Sequence, residues 1–174
     1  MKRYLLILAA VVLGVYLATG LNSCGIADDI LDLENVEKSD LTNPLFLAYD
    51  NTLDSKTKKV WVFNATEAVQ ATITMQTDQI LTISTKLYFD TWSISGKKIT
   101  LGDSKTYDMK RVSVLGYDAI AIGGYICIPS TNKSLDGKRY EDDWFSRGLT
   151  EQAFWDALRK SYQNNDNVQI TLNK

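Results

Sequence analysis

Val69, Ala71, Ile73 and Met75 alternate with Gln70, Thr72, Thr74 and Gln76. A period of two puts the apolar set on one face and the polar set on the other, as in a half-buried antiparallel strand. Thr77 to Gln79 reads as a turn, and the next run places Leu81, Ile83, Leu87 and Phe89 on one face. Parity then changes, because Phe89 is odd while Trp92 and Ile94 are even. A bulge or sharp corner is therefore expected at Asp90 and Thr91. Polar turns at Ser95 to Lys98 and Gly102 to Lys105 set off short strands at Ile99–Leu101 and around Tyr107 and Met109. Further strands are expected at Val112–Val114 and Ala119–Ile128, and an earlier one at Lys59–Asn64 with Trp61 and Phe63.

The period becomes helical only near the end. Thr150 is a good N-cap, with Leu149 and Phe154 placed as a hydrophobic staple. Phe154, Ala157, Leu158 and Tyr162 form one stripe, with Arg159 and Lys160 toward the C-terminal end where the helix dipole favours cations. Asn164 to Asp166 ends the helix, and Val168, Ile170 and Leu172 share one face of a last strand. The expected fold is mainly β: an antiparallel meander forming a small barrel or sandwich, with one C-terminal helix followed by a final strand.

The beginning of the chain has a different texture. Lys2 and Arg3 precede Tyr4 to Leu21, which holds no charged residue, and Cys24 follows. Basic, then apolar, then small residues is the order of a secretory signal. Leu21, Asn22 and Ser23 before Cys24 resemble the lipobox of bacterial lipoproteins. That resemblance implies cleavage before Cys24, a diacylglycerol on its thiol and an acylated amine. Several acyl chains together anchor stably where one does not. The other reading is an uncleaved anchor with Cys24 incidental, since the run nearly reaches the ~20 residues a span needs. Both put the body outside the cytoplasm, and the lipoprotein reading gives an outer-membrane address, facing the periplasm or the cell surface. The expected organisation is a signal peptide over 1–23, a lipidated acidic tether over 24–44 and a β-rich globular domain over 45–174. The tether is acidic (Asp28, Asp29, Asp32, Glu34, Glu37, Asp40 against Lys38), and the Asp28–Asp29 pair loosely resembles a surface-export signal.

Composition narrows the chemistry. Loss of residues 1–23 would remove Lys2 and Arg3 and no acid, taking the net charge from −2 to −4. A mildly acidic body does not suggest nucleic acid as a partner. Histidine is absent, which excludes Ser-His-Asp, Cys-His and His-based zinc sites. The second cysteine, Cys127, lies in an apolar strand-like run and reads as a buried, inert thiol. Asp50, Thr52 and Asp54 space oxygens like the start of a calcium loop, but the glycine and distal glutamate are missing, so no metal is assigned. No cofactor motif is present and no pair of acids stands out as general acid and base. A non-catalytic body is expected, with a carboxylate-dependent glycan-acting enzyme as the least favoured alternative.

Thr91 to Gly124 is similar to bacterial lipocalin-like lipoproteins, through Trp92, Ile94, Gly96, Ile99, Leu101, Tyr107 and Met109, and the late helix followed by one strand also looks like the lipocalin order. The Gly-x-Trp opening of that family is missing. The resemblance implies an up-and-down barrel with a central cavity that binds without chemistry. Trp61, Phe89, Trp92 and Tyr107 are then candidates for lining an apolar pocket, although such residues are more often simply core. Trp144 and Phe145, among the acids of Tyr140 to Gly148, are candidates for a surface contact patch. Two functions follow. One is an interaction module that engages an envelope protein or glycan while its lipid holds the membrane; the other is a carrier of a small apolar ligand. A hollow interior would favour the carrier, a filled one the module.

Overall fold

The computed structural model describes residues 35–49, 56–114, 117–132 and 139–174. The signal-like run, Cys24, Asp28, Asp29 and the calcium-like Asp50 to Asp54 lie outside them. The fold is mainly β. Among the described residues, ten antiparallel strands form a sheet curled into a half-barrel, and three helices accompany it.

In chain order the elements are α1 (Lys38–Thr42), β1 (Leu47–Ala48), β2 (Thr57–Phe63), β3 (Ala68–Thr77), β4 (Ile80–Phe89), β5 (Trp92–Ser95), β6 (Lys98–Leu101), β7 (Lys105–Val114), β8 (Tyr117–Ile122), β9 (Tyr125–Pro129), α2 (Tyr140–Ser146), α3 (Glu151–Asn164) and β10 (Val168–Thr171). The sheet order is β10-β4-β3-β2-β1-β9-β8-β7-β6-β5. Two-residue β1 is the seam, pairing Leu47 with Trp61 of β2 on one side and with Pro129 of β9 on the other. The sheet does not close into a barrel: β10 and β5 are its edges.

Period two along β2 produces two cores. Val60 and Val62 face the helices, with Val69, Ala71, Ile73, Leu81 and Ile83, against Trp144, Phe154, Trp155 and Leu158. Trp61 and Phe63 face the other way, with Trp92, Ile99, Leu101, Met109, Ile120, Ile122 and Cys127. Phe63 and Trp92 lie far apart in strand order, yet their rings meet at 5.1 Å and Trp92 Nε1 donates to the Asn64 carbonyl at 2.9 Å. Only a sheet that curls over this face can make those contacts, so this is the concave side.

One expectation shifts. The acidic segment is not a tether up to residue 44: Val36 and Leu41 are buried in the concave core, and Arg111 pairs with Asp40 at 2.6 Å. Lys38 Nζ sits 4.9 Å over the Trp92 ring, so α1 closes one end of the curl. The corner expected at Asp90 and Thr91 is present: β4 ends at Phe89, β5 begins at Trp92, and both rings belong to the concave core. A second parity change, not foreseen, lies inside β4. Gln70 pairs with Leu87 but Ala71 with Thr85, which leaves Lys86 as the extra residue of a bulge inside β4. Leu81 and Ile83 therefore face the helices, while Leu87 and Phe89 face the concave side.

The C-terminal helix forms as its signals predict. Thr150 Oγ1 accepts from Ala153 N–H at 3.1 Å, and Leu149 and Phe154 are both buried. Asn165 adopts the left-handed conformation (φ 50°) and ends α3. α1 and α2 are additional to the single helix the periodicity predicts; at 5 and 7 residues they are too short to show a period.

Candidate functional site

Among the described residues, the end of the curl opposite α1 is open. There the concave face holds a groove of about 420 Å³, lined by Trp61, Tyr107 and nine further residues. Strand register builds its floor. Lys59 lies across from Thr72, and Trp61 across from Gln70, which in turn neighbours Leu87. Tyr49 extends β1 over this floor, its N–H donating to the Lys59 carbonyl at 2.9 Å. Its ring stands 6.5 Å from Trp61 and 5.2 Å from Tyr125.

The far wall comes from the β8–β9 hairpin, where Ile122 pairs with Tyr125 around Gly123 and Gly124. Gly123 has φ +56°, and a Cβ there would lie 2.6 Å from the Tyr107 ring. The turn thus seats that ring closely, and only glycine allows both the backbone and the contact.

The Lys86 bulge belongs to the site. Bulges re-aim side chains and cluster near functional positions. This one puts Leu87 on the concave face beside Gln70 and leaves Lys86 in the lining. Lys59 and Lys86 are exposed and form no ion pair among the described residues. No Asp or Glu among the described residues lines the groove. Trp61 is buried, and its Nε1 has no acceptor among the described residues. Such an orphan donor costs about 1–3 kcal/mol.

The sequence candidates separate. Trp61 and Tyr107 line the groove; Phe89 and Trp92 belong to the filled part of the concave core. Trp144 forms no surface patch. It is buried against Phe46, with ring centroids 5.4 Å apart, because α2 turns it onto the helix-side core, and Phe145 alone is exposed. Tyr49, Lys59, Gln70, Thr72, Lys86 and Tyr125 join the site without having been singled out. Gln70 and Thr72 are visible in sequence as a polar strand face, but that pattern reads as solvent-facing unless the curl is known.

Other polar clusters tie the fold together. Buried Glu141 accepts from the Leu45 N–H and the Ser130 hydroxyl, joining α2 to both sides of the seam. Burial pushes the Cys127 thiol up to about 12, as expected of an inert thiol. No group of acids or cysteines suited to a metal occurs among the described residues.

No family model, no curated protein and no solved structure matches this chain.

Proposed function

We propose that this protein is a cell-envelope lipoprotein whose curled sheet is a non-catalytic binding module, held to the outer membrane through Cys24 and taking its ligand in the concave groove. The observation that supports binding is the groove itself: about 420 Å³ of open space on the concave face, walled by Trp61, Tyr49, Tyr107 and Tyr125 and edged by Lys59 and Lys86. Ligand sites are concave, with aromatic walls and a few converging polar groups. The lipobox-like stretch before Cys24 supports the anchor.

A carrier of a small apolar ligand is the second reading, favoured by the hollow end of the curl. Against it, the apolar part of the concave face is already filled by Phe63, Trp92, Ile99, Leu101 and Met109. The open part has lysine, glutamine and threonine on its floor.

The test is an NMR titration of the purified, isotope-labelled protein with soluble envelope glycans and lipids. Shifts should concentrate at Tyr49, Lys59, Gln70, Lys86 and Tyr125, and Gln70→Trp, which fills the groove, should remove them. Shifts scattered over the surface, or unaffected by Gln70→Trp, would defeat the groove as the site.

A further inference from the structure

We infer that the groove selects an anionic saccharide. The inference rests on the groove being the binding site and adds the chemistry of the occupant. Four observations converge on it.

The first is charge. Two lysines edge the groove, and among the described residues neither has an ion pair and no carboxylate lines the space. The chain as a whole is slightly acidic, so this local excess of positive charge runs against the composition. Lysine ammonium groups are mobile point charges, suited to an acidic group whose exact position varies.

The second is the floor. Gln70 and Thr72 offer an amide and a hydroxyl from adjacent positions of β3's concave face. Such groups match the hydroxyls of a sugar; a hydrocarbon chain would leave them desolvated and unpaired, which is costly.

The third is the walls. Tyr49, Trp61, Tyr107 and Tyr125 present flat rings, and Tyr125 is 55% exposed at the mouth. A pyranose has an apolar C–H face and a polar rim, which suits rings bordered by polar groups. The fourth is the bulge. A regular β4 would hold Leu87 and Phe89 on the helix face; the extra residue Lys86 moves them to the concave side and takes a place in the lining itself.

Calorimetric titration of the full chain in detergent tests this with three probes: trigalacturonate, its neutral counterpart galactotriose, and laurate. Trigalacturonate should bind at least about tenfold more tightly than galactotriose, since a charge-assisted contact at a semi-exposed site is of that order. Raising salt should weaken it. Lys59→Gln and Lys86→Gln should each weaken it severalfold at unchanged melting temperature. Equal affinity for the neutral sugar, lost in Gln70→Trp, would overturn the anionic selection and leave the groove as a glycan site. Binding of laurate but not of trigalacturonate would overturn the saccharide and leave an apolar carrier. No response to trigalacturonate, with Gln70→Trp behaving as wild type toward every probe, would overturn both.

Discussion

Arg159 on α3 grips Glu67 in the β2–β3 turn with two nitrogens, Nε at 2.9 Å from Oε1 and Nη2 at 2.6 Å from Oε2. Residue 67 is presented by an Asx turn, in which Asn64 Oδ1 accepts from the N–H groups of Thr66 and Glu67. Tyr88 donates to the same carboxylate. The cluster bolts the helix to the sheet at the edge of the helix-side core.

The Arg159 guanidinium, against the opposing effect of burial, holds the Glu67 carboxyl down at about 2, from an ordinary 4.5. The folded state thus favours the ionised form. Its contribution is fully present above about pH 4.5 and is lost as pH falls toward 2. Denaturant unfolding at pH 6 and pH 3 should show the wild type losing more stability between the two than Glu67→Gln does. Arg159→Ala should cost about 2 kcal/mol at pH 7, and Arg159→Lys should recover only part, because it cannot form the two-pronged contact.

Gly123 and Gly124 separate a backbone effect from a packing effect. Both have positive φ, +56° and +87°. A Cβ at 124 meets nothing within 4 Å, whereas one at 123 strikes the Tyr107 ring. Gly124→Ala should cost about 1 kcal/mol through the backbone. Gly123→Ala should cost about 1–3 kcal/mol more, as overpacking does, and should alter the Tyr107 ring signals in an NMR spectrum. Equal costs would mean that the turn does not seat the ring.

Leu41 is 1% exposed although it lies in the acidic segment that composition assigns to a spacer. Leu41→Ala should therefore cost about 2–5 kcal/mol, measured by denaturant unfolding. Phe145→Ala, at a half-exposed ring on α2, should stay within about 0.5 kcal/mol. A neutral Leu41→Ala would restore the spacer.

The two cysteines should behave oppositely. Cys24→Ala should abolish palmitate labelling and leave the precursor uncleaved; intact mass of membrane-extracted protein reads both. A mature chain that starts elsewhere, or an unmodified Cys24, would leave an ordinary secreted or anchored protein. Cys127 is fully buried with its thiol at about 12. It should resist iodoacetamide at pH 8 in the native protein and react only after unfolding.

Sequence alone determined the strand content and the end of the chain. Alternation at Val69 to Gln76 fixes two-faced strands because side chains point to opposite sides of a pleat at every step. Thr150, Leu149, Phe154 and Asn165 fix α3 because caps and staples act within a few residues. These signals are local, so they survive without knowledge of the neighbours. Tertiary structure decided which face is hollow, and where. The polar side of β3 reads as solvent-facing until β1 joins the two halves of the sheet and the curl turns that side inward. Lys86 reads as an ordinary solvent-facing position until the pairing of β4 with β3 forces a bulge, since register belongs to two strands at once and is written in neither. In sequence Trp144 is open to two readings, a surface contact or a seal on the barrel end, until α2 sets it against Phe46. The groove depends on residues from β2, β3, β4, β7, β8 and β9 meeting across the curl, and no spacing along the chain encodes that meeting.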